Sequence, residues 1–135
     1  MFPMDAHFQA AKNVSQNAHC PYSHFAVGAV VQCKSGRCFA GCNVENASYG
    51  LTCCAERNAI FQMIASGEKE FVRIVIYTPT AEPTSPCGAC RQVMFEFGPN
   101  ADVISVCDGP NTLQTTVREL LPHGFGPSNL TSTGH

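Results

Sequence analysis

Apolar and polar positions divide the chain into short segments whose periodicity switches between that of a helix and that of a strand. After Pro3, residues Met4, Phe8, Ala11 and Ala18 recur near helical spacing, which predicts a first helix over Met4 to Ala18. His24 to Gln32 holds the run Phe25-Ala26-Val27-Gly28-Ala29-Val30-Val31, the pattern of a strand buried on both faces. Lys34-Ser35-Gly36-Arg37 is turn chemistry, and Arg37 to Val44 is its natural antiparallel partner. Thr52 reads as an N-cap, and Ala55, Ala59, Ile60, Met63 and Ile64 make an apolar stripe ending at Gly67, so a second helix is expected over about Cys53 to Ser66. Phe71 to Thr78 is rich in β-branched residues and reads as a central strand, followed by a loop from Pro79 to Pro86 that holds three prolines. Gly88 to Phe97 predicts a third helix stopped by Gly98-Pro99. Asp102 to Cys107 and Thr112 to Thr116 are short strands, and Val117 to Leu121 is a helical turn before Pro122.

The order α-β-β-α-β-α-β-β-α predicts an α/β fold with a mixed five-stranded sheet covered by helices. A length of 135 residues suits one domain with its own core, and neither a repeat nor an interior linker divides it. Beyond Leu121 the chain is rich in Gly, Pro, Ser and Thr, and a mobile tail is expected from about residue 128.

Composition narrows the function. Only 13% of residues are charged and the net charge is −2, which leaves no basic footprint for a polynucleotide or an anionic membrane. No apolar stretch approaches the roughly 20 residues that span a bilayer, and the first ten residues lack a signal-peptide pattern, so a cytoplasmic location is expected. Nine cysteines are too many to ignore and, being odd in number, fit poorly with a secreted disulfide framework. In a reducing compartment they are packed thiols or metal ligands.

Two places concentrate chemistry. Pro86-Cys87-Gly88-Ala89-Cys90 sets two thiols three residues apart where a helix begins, and free backbone N–H groups there favour thiolates. That spacing alone leaves a redox pair and a zinc site equally open. Cys53-Cys54-Ala55-Glu56-Arg57 opens the other helix. A third thiolate there would give Zn²⁺ three protein ligands and an open fourth position for water, the arrangement of a catalytic zinc. Glu56, on the first helical turn, can then face that water as a proton shuttle without being a ligand.

Cys54-Ala55-Glu56 followed by Pro86-Cys87-Gly88-Ala89-Cys90-Arg91-Gln92 resembles the zinc signature of the cytidine deaminase family in its three-cysteine form. Further matches are Cys20-Pro21-Tyr22-Ser23, Phe25 with Val27-Gly28-Ala29, the run Asn43 to Gly50, Glu119-Leu120-Leu121-Pro122 and Phe125-Gly126-Pro127. The resemblance covers about nine tenths of the chain and is strongest to the small homotetrameric nucleoside deaminases. It implies a three-layer sandwich and one zinc ion per subunit on Cys54, Cys87 and Cys90. It further implies hydrolytic deamination of free cytidine and deoxycytidine, in which Glu56 carries the proton from the zinc-activated water to N3 and then to the departing amine. Asn43 and Glu45 would bind the ribose hydroxyls, with Ala47 and Tyr49 from the same run also at the substrate. Phe25 would stack on the pyrimidine, and the Ala55 backbone and Ser85 carbonyl would meet its edge. Arg57 would offset the thiolate charge, and Phe125 would close the site of a neighbouring subunit.

The alternatives are a deaminase of a modified cytosine nucleoside or nucleoside antibiotic, a polynucleotide cytosine deaminase, and a non-enzymatic zinc module. The absence of Trp and the net charge of −2 oppose the polynucleotide reading, and no fourth ligand at matching spacing supports a closed structural zinc. Cys53 is the rival ligand to Cys54, whereas Cys20, Cys33, Cys38, Cys42 and Cys107 are read as packed thiols. One departure stands out: Ala26 occupies a position where the family usually has proline, so the strand carrying Phe25 lacks a pre-set φ.

Overall fold

The computed structural model describes residues 4–131. Helix α1 (Met4–Ser15) leads into a hairpin of β1 (Gly28–Cys33) and β2 (Cys38–Cys42), and a 3₁₀ turn (Tyr49–Leu51) precedes α2 (Ala55–Ala65). Then come β3 (Phe71–Tyr77), α3 (Gly88–Phe97), β4 (Asp102–Val106), β5 (Leu113–Thr116), α4 (Val117–Leu120) and α5 (Pro127–Thr131). The five strands form one sheet in the order β2-β1-β3-β4-β5, with β3 central as expected. β3 and β4 are parallel and the other neighbouring pairs antiparallel; α2 crosses from β2 past β1 to β3, and α3 crosses from β3 to its parallel neighbour β4.

Strand alternation sends side chains to two separate cores. Ala29, Val31, Ile74, Ile76 and Val103 meet α2 and α3 through Ala59, Ile60, Met63 and Met94. Val30, Val75, Tyr77, Ile104 and Val106 meet Ala11 and Phe8 of α1. The result is three layers, helix over sheet over helix. Two glycines set the spacing: a Cβ on Gly28 would lie 1.8 Å from Ala11 O, and one on Gly41 would lie 2.4 Å from Ala59 N. Gly67, at φ +101°, ends the turn after α2 in the left-handed conformation that favours glycine.

Four boundaries differ by two residues or more from the sequence reading, each for a local reason. α1 stops at Ser15 because Gln16, Asn17 and Ala18 donate to carbonyls three residues back, so the helix unwinds into turns. β1 starts at Gly28: His24 sits at φ 57° with its N–H on Cys20 O, and Phe25 to Val27 bond to a side chain outside the ladder. β2 ends at Cys42, and Val44 makes isolated bridges to His19 and Cys53. Thr52 does not cap α2; it follows the 3₁₀ turn and its hydroxyl accepts from Asn46 N–H, while Cys54 is the cap. Part of the segment expected as a tail forms α5, and residues 132–135 lie outside the described residues. Among the described residues no helix is long and apolar enough to cross a membrane.

Candidate active site

Both helix starts that carry cysteines point to one place. Cys54 and Cys87 are the N-caps of α2 and α3, with extended backbones, and neither thiol is used in a capping bond. Cys90, in the first turn of α3, is fully buried. The three Sγ atoms lie within 4.8 Å of one another, and among the described residues no other three Cys, His, Asp or Glu side chains gather this way. Cys54 Sγ and Cys87 Sγ are 3.8 Å apart. Two tetrahedral ligands at about 2.3 Å from one zinc would stand about 3.8 Å apart, so the donor set and spacing fit Zn²⁺.

The surroundings favour an anionic sulfur at Cys54. Arg57 Nη2 donates to Cys54 Sγ at 3.4 Å. The Cys90 thiol donates to Cys54, and with the Arg57 and Cys87 bonds this draws Cys54 down to about 5 against the opposing effect of burial. Cys90 is held the other way, because it donates that bond and is itself buried. Arg57 is pushed up by its thiolate neighbours, Cys54 first.

Glu56 is 5% exposed and lines a cavity of about 410 Å³ that Cys54 and Cys87 also line. Burial raises its carboxyl to about 7, the Cys54 charge adding to this and its own N–H and Arg57 opposing it. A carboxyl near neutrality can both take and give a proton. A buried acid–base group in a cavity walled by two of three clustered thiols is the pairing that zinc-assisted hydrolysis needs.

The model of the cytidine and deoxycytidylate deaminase zinc-binding region matches residues 3–106. The chain belongs to the cytidine deaminase family. It is 44% identical over 122 residues to a probable cytidine deaminase of Dictyostelium discoideum, covering 90% of this chain and 82% of that one. Against a cytidine deaminase of Halalkalibacterium halodurans it is 45% identical, with 82% and 84% covered. A crystal structure of cytidine deaminase from Burkholderia pseudomallei superposes with TM-score 0.88 at 44% identity, covering 93% of this chain and all of that one.

The remaining residues that the cytidine deaminase resemblance singled out are placed unevenly. Phe25, Asn43, Glu45, Ala55 and Ser85 line the cavity with Glu56. Asn43 is already engaged: Oδ1 accepts from Val27 N–H and Nδ2 donates to Phe25 O, both at 2.8 Å. Its amide therefore brackets Ala26 and fixes the Phe25 segment without a proline. Glu45 accepts from the N–H groups of Tyr22 and Ser23 and from the Ser23 hydroxyl, which with the other bonds holds its carboxyl below the usual range.

Tyr49 lies 73% exposed against Tyr22, its ring centroid 5.5 Å away, beside a second hollow that also touches Glu45. Ala47 and Phe125 line neither space; Phe125 is 59% exposed and is tied through its carbonyl to Gln92 Nε2 at 2.8 Å. Cys53 bridges Val44 through its backbone and is outside the thiol cluster. Cys38, read as packed, is exposed at the hairpin with Sγ 3.4 Å from His7 Nε2.

Sequence reading missed Ser23, Val27, Thr52, Ile76, Thr78 and Thr84 as cavity lining. Apolar and hydroxyl side chains carry no chemical signature; position after a central strand was the available signal.

Proposed function

We propose that this chain removes the 4-amino group of free cytidine and deoxycytidine by hydrolysis, yielding uridine, deoxyuridine and ammonia in pyrimidine salvage. The observation that carries the reading is a cluster of the Cys54, Cys87 and Cys90 thiols at the wall of a cavity that Cys54, Cys87 and buried Glu56 line, in a member of the cytidine deaminase family. Zinc held by the three thiolates supplies an acidified water and a Lewis acid. Glu56 takes one proton of the attacking water and passes it to N3 as the oxygen bonds to C4, then takes the second proton from the new C4 hydroxyl and gives it to the amino group as the C4–N bond breaks and ammonia leaves. Arg57 draws electron density from Cys54, which keeps the thiolates from quenching the metal's acidity. Phe25 packs on the pyrimidine face, the Ala55 backbone and the Ser85 carbonyl meet its edge, and the Ser85 oxygen accepts from the exocyclic amine. Glu45, kept ionised, accepts from a ribose hydroxyl, and Asn43 offers its remaining donor and acceptor capacity to the same sugar.

Residues 1–135 act as one domain in a cytoplasmic homotetramer. Exposed Tyr22, Tyr49, Leu51 and Phe125 support the assembly, and free thiols at all nine cysteines support the compartment. Phe125, outside its own chain's cavity, serves a neighbour's site, and Ala47 contacts substrate from the Asn43 to Gly50 run.

Incubation of purified protein with cytidine, deoxycytidine, adenosine and a single-stranded oligonucleotide, followed by ultraviolet change and ammonia release, tests the activity. Ammonia from cytidine and deoxycytidine is expected; ammonia from neither overturns the reading. Assembly is tested by co-refolding Glu56→Ala with Phe125→Ala in equal amounts. About a quarter of sites become wholly native if Phe125 acts in trans, so activity rises above the mean of the two variants. A monomer with full activity overturns the assembly.

A further inference from the structure

The loop between β3 and α3 walls the cavity through Thr78, Thr84 and Ser85, and three of its residues are prolines. Each proline removes a backbone donor, so such a segment has fewer amides of its own with which to anchor itself. Its far end is held by the β4–β5 connection, where Asp108 N–H donates to Thr80 O at 2.9 Å and Asn111 Nδ2 to Glu82 Oε1 at 3.0 Å.

Its near end is held by one side chain. Arg91, the residue after Cys90 on α3, places Nη2 2.8 Å from Ser85 Oγ and Nε 2.7 Å from Pro86 O. Its Nη1 is 3.1 Å from Leu120 O, one of the α4 carbonyls that lack a partner within that short helix. Three donors of one planar fork thus serve three acceptors on two segments, a geometry that the single charged amine of lysine cannot reproduce. The Ser85–Pro86 peptide bond has no N–H, so the turn of the Ser85 carbonyl is set by the bonds on either side of it.

We propose that Arg91 is a positioning residue for the substrate's exocyclic amino group, aiming the Ser85 carbonyl at that amine by gripping Ser85 Oγ and Pro86 O from the first turn of the metal-binding helix. The inference rests on the reading of Ser85 given above. It separates from a merely structural role through ligand selectivity: a misaimed carbonyl penalises ligands that carry the amine and spares pyrimidin-2-one ribonucleoside, which is cytidine with hydrogen in place of the amino group.

The test uses zinc-loaded Arg91→Met, Arg91→Lys and Ser85→Ala, the last removing the Oγ acceptor but keeping the carbonyl. Zinc content, kcat and KM for cytidine, and the inhibition constant of pyrimidin-2-one ribonucleoside are measured. Zinc should stay near one per chain. For cytidine, kcat/KM should fall about 10- to 100-fold in Arg91→Met, recover only in part in Arg91→Lys, and fall about three- to tenfold in Ser85→Ala. The inhibition constant should move less than about threefold, since that ligand has no amine to lose. Unchanged kcat/KM in Arg91→Met overturns the role of Arg91 and leaves the reading of Ser85 standing. Equal losses for both ligands with zinc retained overturn the reading of Ser85 itself. Full recovery by lysine overturns the forked grip. Should Arg91→Met fail to fold, Ser85→Ala decides, and absence of the selective loss there overturns the proposal.

Discussion

The two faces of the sheet are built alike and used differently. Each takes a helix at van der Waals contact over a glycine, Gly28 under α1 and Gly41 under α2. On the α1 face the buried Tyr77 hydroxyl donates to Asp108 Oδ1 at 2.7 Å, and Lys12 closes the set 3.6 Å from the same oxygen. On the α2–α3 face Glu56 is buried with its carboxyl raised, and Arg57 Nε is buried without a hydrogen-bond partner. One face pairs this set of polar groups and the other holds a raised carboxyl beside an unpaired guanidinium nitrogen, the division expected where stability and chemistry share a small domain.

The contrast breaks most severely at the thiols. Alanine at Cys54, Cys87 or Cys90 should remove most zinc and nearly all activity, whereas Cys53→Ala should retain close to one zinc per chain, as metal analysis will read. Zinc lost from Cys53→Ala and kept by Cys54→Ala would shift the ligand assignment by one residue. Next, Glu56→Gln should keep zinc, lose about 10²- to 10⁴-fold in kcat and be no less stable to heat, because it removes the proton carrier and a strained buried carboxyl together. The two glycines then test the faces against each other. Alanine at either forces backbone apart and should destabilise by about 1–3 kcal/mol in urea unfolding. Only Gly41→Ala moves the helix bearing Cys54 and Glu56, so its kcat/KM should fall at least about tenfold while that of Gly28→Ala stays within about threefold.

The smallest effect belongs to the quiet face. Burial, then the Asp108 bond, pushes the Tyr77 phenol up to about 12. An unfolded chain gives up that proton first, near pH 10, so this stabilisation is whole below about pH 10 and is lost as pH rises through about 12. The unfolding free energy from urea titration should fall more steeply across that window for the wild type than for Tyr77→Phe. Parallel pH profiles would remove Tyr77 from the account.

Legibility in the sequence followed the physics of each segment. α3 was readable residue for residue, Gly88 to Phe97, because a cysteine pair opens it and Gly98-Pro99 closes it. The sheet-forming runs were readable because β-branched and apolar residues dominate them. The Phe25 to Val27 segment was not, since an apolar run looks the same whether a strand ladder or the Asn43 side chain holds it. Thr52 had the chemistry of a cap but spends its hydroxyl on Asn46, a choice made by the preceding 3₁₀ turn. The clustered cysteines and Glu56 stood out by residue type and by the family resemblance; Thr78 and Thr84 became wall residues through the path of a loop, which no local pattern encodes.

Cys54 and Cys87 stand 33 residues apart in the chain and 3.8 Å apart in space. An ion gripped by both is a cross-link that closes the span containing α2, β3 and the proline-rich loop. A covalent bridge of that reach would restrict the unfolded chain by roughly 4 kcal/mol in the loop-closure account, and a metal delivers comparable benefit through binding that only the folded state supports. Unlike a disulfide, such a bridge survives reducing conditions and can be withdrawn and restored without breaking a covalent bond between chain atoms. The melting temperature of this protein is therefore also a gauge of free zinc around it.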